Sequence, residues 1–165
     1  MKTPGGVICV DPVGDAASYS DFSAVDLVLI AHEHGDHFNQ KTLDAVAMES
    51  TVLITNPNVY DALSDAIQVQ VIKIVNGEDT MLCDVAVGAI AAYNLSKDRL
   101  NFQPKGHYNV LTVDGARVYI LGDTEDVPEM CAFKNIDIAF FCMNLPFTMD
   151  ANATANAVYF MPAND

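Results

Sequence analysis

Ala31-His32-Glu33-His34-Gly35-Asp36-His37-Phe38 follows directly on the apolar run Val25-Asp26-Leu27-Val28-Leu29-Ile30 and gathers three of the chain's 4 histidines into one short segment. Such a run reads as a buried strand, and the polar residues at its end are those it delivers to a surface. His32 and His34 are two apart, so on an extended backbone they share a face and can reach one cation. Gly35 permits a tight turn that swings Asp36 and His37 round from the other side. Neutral imidazoles with a carboxylate are borderline ligands suited to Zn²⁺, with Mn and Fe as alternatives. The H-x-H-x-D-H spacing is wide enough for two metals, His32 and His34 serving one and Asp36 and His37 the other. A polar loop whose histidines cap the next helix is the plainer alternative. Clustered imidazoles without a cation, however, repel on protonation and lose solvation when buried.

The rest of the composition narrows the class of protein. A chain of 165 residues suits one domain with a real core. With 51% hydrophobic and 18% charged residues it reads as globular rather than disordered. No apolar run approaches the roughly 18 to 20 residues of a membrane span, and residues 1–6 lead into a short strand rather than a signal-peptide core. A cytoplasmic protein without membrane contact is expected. The net charge of -14 repels nucleic-acid phosphates, and no basic stripe with interleaved aromatics offsets it, so nucleic acid is not an expected partner. Cys9, Cys83, Cys131 and Cys142 are scattered without a C-x-x-C pair, which favours reduced, packed thiols over disulfides.

Taken in order, residues 6–10 read as a strand stopped by Asp11-Pro12, since proline cannot continue a ladder. Residues 26–31 form the strand that feeds the histidines, and Leu43, Val46 and Ala47 fall at helical spacing within 39–49. A strand over 51–55, a helix over 57–67 with Pro57 in its first turn, and a strand over 69–75 follow. Asn76-Gly77 reads as a hairpin-type turn into a long strand, 81–93. Residues 94–107 lack periodicity and carry Lys97, Arg99 and Lys105, a loop long enough to be functional. A hairpin over 108–113 and 116–121 turns at Asp114-Gly115 and places Asp123 at a strand terminus. A short helix at 128–133, a buried strand at 136–143 and a helix at 151–161 complete the pattern.

His32-Glu33-His34-Gly35-Asp36-His37 resembles the signature of the metallo-β-lactamase-fold hydrolases, and Cys9-Val10-Asp11-Pro12 and Leu121-Gly122-Asp123-Thr124 agree with it. Within that superfamily, Tyr93-Asn94, Phe102-Gln103-Pro104-Lys105-Gly106, the stretch from Gly122 to Met130 and Met143-Asn144-Leu145-Pro146-Phe147-Thr148-Met149 resemble the metal-dependent hydrolase branch that includes the ascorbate-6-phosphate lactonase-like proteins. Periodicity alone also allows a doubly wound parallel sheet. The resemblance selects an α+β fold, the αββα sandwich of metallo-β-lactamase type, as a single domain over 1–165 that lacks the usual first hairpin and last strand and helix. It implies that His32 and His34 hold one metal, that Asp36 and His37 hold a second, that Asp123 bridges them, and that the Asp11-Pro12 step lies near the site; a structural turn is an equal reading of that step. Asp36 is also the position to which the proton-accepting, catalytic role is commonly assigned. Glu33 falls on the opposite face.

Two departures from the pattern bear on activity. Relatives show His-Pro-Lys where this chain has Gln103-Pro104-Lys105, and glutamine is a poor zinc ligand; His107 is the nearest substitute. Relatives also continue to a Pro-x-His-Tyr segment, whereas this sequence stops at Met161-Pro162-Ala163-Asn164-Asp165. The expected function is a metal-activated water attacking an ester, lactone or phosphoester of a small-molecule substrate, with one or two zinc ions. The alternative is a non-catalytic relative that acts as a binding or assembly module. An iron or flavodiiron-type redox protein is a third reading, with no flavin domain attached. An unpaired sheet edge favours a homo-oligomer.

Overall fold

The structure, a computed structural model, describes residues 1–22, 24–68, 70–82, 84–95 and 106–161. The fold is α+β with two five-stranded sheets, and the chain divides into two compact units, Met1–Val75 and Asn76–Asp165.

In the first unit, β1 (Lys2–Thr3) pairs antiparallel with β2 (Gly6–Val10), a short strand absent from the sequence expectation. β2, β3 (Leu27–Ile30), β4 (Val52–Thr55) and β5 (Val71–Lys73) then run parallel in that order. All four residues of β3 are buried, as an uninterrupted Leu-Val-Leu-Ile strand requires when both faces are covered. Helix α1 (Gln40–Val46) starts at Asn39, whose side chain accepts from the Thr42 N–H, and buries Leu43 and Val46. Val28, Ile30, Leu43, Val46, Leu53 and Val59 share one apolar cluster.

The helix expected over 57–67 is broken into α2 (Pro57–Ala62) and α3 (Asp65–Gln68). Leu63 is extended, and the Gln40 amide side chain exchanges hydrogen bonds with Ser64, accepting from its N–H at 3.1 Å and donating to its Oγ at 3.2 Å. Ser64-Asp65 is itself a helix-start signal, and tertiary hydrogen bonding lets it prevail over a continuous helix.

In the second unit the order is β10-β9-β8-β7-β6. The long strand expected over 81–93 is two antiparallel strands, β6 (Asp79–Leu82) and β7 (Val85–Ala92), with Asp84 at φ +64 in the turn. Aspartate tolerates the left-handed region that such a reversal needs. Asn76-Gly77 accordingly connects β5 of one sheet to β6 of the other rather than closing a hairpin. The expected hairpin is present as β8 (Gly106–Val113) and β9 (Ala116–Ile120), with Asp114 and Gly115 both at positive φ.

After α4 (Pro128–Cys131), β10 (Ile138–Phe140) pairs parallel with β9 at the sheet edge. It was expected to be buried, yet Ile138 is 50% and Phe140 55% exposed. The apolar run is real and Ile136 at its start is buried, but beyond it an edge strand turns Ala139 and the following Phe141 and Cys142, not Ile138 or Phe140, toward the cluster built on Tyr119, Met130 and Met149. Helix α5 (Ala151–Phe160), capped by Asp150, ends the described chain.

Candidate metal centre

Three parallel strands end side by side at Val10, Ile30 and Thr55, and the residues that follow them carry polar side chains. Loops at the carboxyl ends of parallel strands are where such sheets place their chemistry. The Ala31 N–H donates to Asp11 Oδ1 at 2.8 Å, and the Ala31 carbonyl accepts from Asn56 Nδ2 at 2.9 Å. Thr55 Oγ1 donates to the Ile30 carbonyl at 2.9 Å. The backbone is thus held on both sides just before it releases His32, which is buried.

Beyond His32 the chain turns, with the N–H groups of His37 and Phe38 both donating to the His34 carbonyl at 2.9 and 2.8 Å. The turn is as expected, but Gly35 does not supply it by a left-handed backbone: it is not among the glycines at positive φ, and a Cβ there would meet nothing within 4 Å. The His32 ring meets His34 edge-on at 4.7 Å between centroids and His37 at 4.1 Å, tilted by 38°. His32, Asp36 and His37 each offer one ligand atom, all within 4.8 Å of one another.

The carboxylate of Asp11 settles the tautomer of His37. Asp11 Oδ2 lies 2.7 Å from His37 Nδ1, and because a carboxylate only accepts, Nδ1–H donates and the lone pair is left on Nε2. That Nε2 stands 3.8 Å from Asp36 Oδ2, whose side chain is 71% exposed. Two imidazole nitrogens and a carboxylate oxygen suit a divalent cation. Ligand atoms at roughly 2.0–2.2 Å from a common ion stand at most about 4.4 Å apart, a spacing close to that of this group. Glu33 points elsewhere and accepts from Asn58 Nδ2 at 3.2 Å.

Asp11 occupies the left-handed region at φ +46. The Asp11-Pro12 step is a turn, and its carboxylate also touches His37, one of the candidate ligands. Asn56 was not singled out from sequence at all. Its signal was present as an asparagine before Pro57 at a parallel strand end.

In the second unit Asp123 is buried just beyond β9. Its neighbour Thr124 donates through Oγ1 to the carbonyls of Tyr93 and Glu125, both at 2.8 Å, and Cys142 Sγ donates to the Gly122 carbonyl at 2.7 Å. Lys97, Arg99, Gln103 and Lys105 fall outside the described residues. The backbone of His107 lies in β8 opposite Ala91 rather than in the preceding loop. Among the described residues Cys9, Cys131 and Cys142 are free thiols.

The profile of the beta-lactamase superfamily domain matches residues 1–162, and the chain belongs to that superfamily. A UPF0173 protein of Pyrococcus abyssi is 32% identical over 136 residues, covering 82% of this chain and 59% of that protein. A UPF0173 metal-dependent hydrolase of Anaeromyxobacter sp. (strain K) is 29% identical over 186 residues, covering 96% and 65%. The crystal structure of a candidate metal-dependent hydrolase from Parabacteroides distasonis superposes with a TM-score of 0.85 at 36% identity, covering 94% of this chain and 70% of that one. Igni18, a metallo hydrolase of Ignicoccus hospitalis, shares the fold at 22% identity and a TM-score of 0.73. The chain spans about three fifths of the length of the curated relatives it matches.

Proposed function

We propose that this chain carries the metal-binding centre of a metal-dependent hydrolase acting on an ester, lactone or phosphoester of a small-molecule substrate. The observation that carries the reading is the His32, Asp36 and His37 group, with the His37 ring oriented by Asp11. The superfamily relationship supports the wider ligand set: His32 and His34 for one cation, Asp36 and His37 for a second, and Asp123 shared between them. A divalent cation held there supplies a nucleophile at neutral pH by lowering the pKa of water from about 15.7 to about 7. Asp36, the most exposed of the group, is placed to accept a proton from the attacking water. Zinc fits the donor set best, with Mn and Fe as alternatives.

Within the superfamily, lactone-type or phosphorylated substrates like those of the ascorbate-6-phosphate lactonase-like proteins are the class proposed, with Lys97, Arg99 and Lys105 as the clustered cations to meet an anionic group. Three free thiols among the described residues support a reducing, cytoplasmic setting. No helix among the described residues is long and apolar enough to cross a membrane.

A second reading, a non-catalytic relative, is favoured by Gln103 at the position where the family resemblance implies a histidine. Hydrolysis of generic ester, lactone and phosphodiester substrates, with and without EDTA, separates the two. EDTA-sensitive turnover that returns on adding Zn²⁺ supports the hydrolase. Stoichiometric Zn²⁺ uptake with no turnover on any of the three supports the binding module.

A further inference from the structure

We propose that Asn56 is a positioning residue of the metal centre, holding the peptide plane from which His32 departs. The inference rests on the metal-binding reading above, and it concerns a side chain outside the ligand set. The β3–β4 ladder ends at the Ile30–Thr55 pair, so the Ala31 carbonyl lies one residue beyond the last strand partner. Strand β4 cannot supply a backbone donor there, because the chain turns at Asn56 into α2. The side chain takes that place.

Asn56 is only 2% exposed, and its two ends are spent differently. Nδ2 donates to the Ala31 carbonyl at 2.9 Å, while Oδ1 accepts from the Val59 N–H at 2.9 Å and caps α2. Only one orientation of the amide satisfies both, since the carbonyl needs a donor and the N–H an acceptor. The Ala31 carbonyl belongs to the peptide bond whose nitrogen is that of His32. Fixing that plane fixes the direction in which the imidazole leaves the strand. Asp11 holds the preceding peptide through the Ala31 N–H and also orients His37, so side chains from the two flanking strands brace one backbone segment. Partners of this kind outside the ligand set commonly change metal affinity about 10- to 100-fold when lost.

Capping and bracing separate by substitution. Serine is as good a helix cap as asparagine, but its shorter side chain, with Oγ held at the Val59 N–H, carries no second atom out to the Ala31 carbonyl. Asparagine-to-aspartate keeps the shape and the cap but sets an acceptor against the carbonyl. In the full chain, N56S is expected to keep the α2 cap, to shift the His32 amide resonance, and to bind Zn²⁺ about 10- to 100-fold more weakly in a chelator competition. The Co²⁺-loaded variant is expected to show an altered d–d spectrum. N56D, carried through the same measurements, serves if N56S does not fold. Zn²⁺ affinity within threefold of wild type, with an unchanged His32 amide and Co²⁺ spectrum, overturns the proposal alone. Wild-type protein that takes up no Zn²⁺ overturns both it and the metal-binding reading.

Discussion

At the scale of single residues, the centre is a set of side chains whose directions are fixed by others. His37 is the clearest case, because Asp11 decides which nitrogen faces outward. D11N keeps a residue that tolerates the left-handed backbone at this position but replaces the carboxylate with an amide that can offer His37 a donor. Zn²⁺ affinity measured by chelator competition should fall about 10- to 100-fold with little change in melting temperature. D11A should lose the same affinity and about 1 kcal/mol or more of stability, because alanine resists the left-handed region. Gly35 gives the opposite prediction. With no left-handed φ and open space where a Cβ would sit, G35A should unfold within about 0.5 kcal/mol of wild type in urea. A clear loss of stability would mean that the turn needs glycine after all. The histidine cluster was legible from residue spacing alone. The roles of Asp11 and Asn56 were not, because each depends on which strand lies beside β3, and a sequence does not print strand order.

At the scale of elements, periodicity located nearly every strand and helix but misjudged three. The 57–67 helix breaks because Ser64 finds Gln40 across the fold, a contact between residues far apart in sequence. The 81–93 strand reverses at Asp84, a signal masked by imperfect alternation on both sides. The 136–143 run is apolar like a core strand but pairs on one side only, and edge position cannot be told from composition. The packing of β9 supplies a pH-dependent prediction. Tyr119 is fully buried and stacked on Phe133 at 5.9 Å, and burial, with smaller contributions from Cys142 and Cys131, pushes its phenol far above the usual range. In the unfolded chain the phenol ionises near its ordinary value of 10.0, while in the folded chain it keeps its proton. The folded state therefore binds more protons at high pH, and stability present below that value is lost as pH rises above it. Urea midpoints should fall above pH ~10 in wild type and fall less steeply in Y119F. Parallel curves for the two proteins would remove Tyr119 as the cause.

At the scale of the whole molecule, charge and apolar surface are unevenly shared. The chain carries a net charge of -14, yet residues 138–161 contain one charged side chain, Asp150. The same stretch exposes Ile138 and Phe140 on an edge strand and Tyr159, 80% exposed, on α5. A strongly acidic protein meets a second copy with least repulsion where it is uncharged, and β10, the edge strand of its sheet among the described residues, offers backbone groups for pairing. Concentration-dependent self-association, weakened by F140K and followed by sedimentation velocity, is the expected result; a monomer at all concentrations would leave this face without a role between copies. The superfamily was legible because its signature is contiguous, whereas a departure such as Gln103 can be weighed only against relatives. The centre itself is tested most directly by the metal content of the purified, dialysed chain, determined by mass spectrometry alongside an H32A/H37A variant. At least one divalent ion per chain, removed by EDTA and missing from the variant, is the predicted result. Less than one ion in wild type, or equal content in both proteins, would contradict the account.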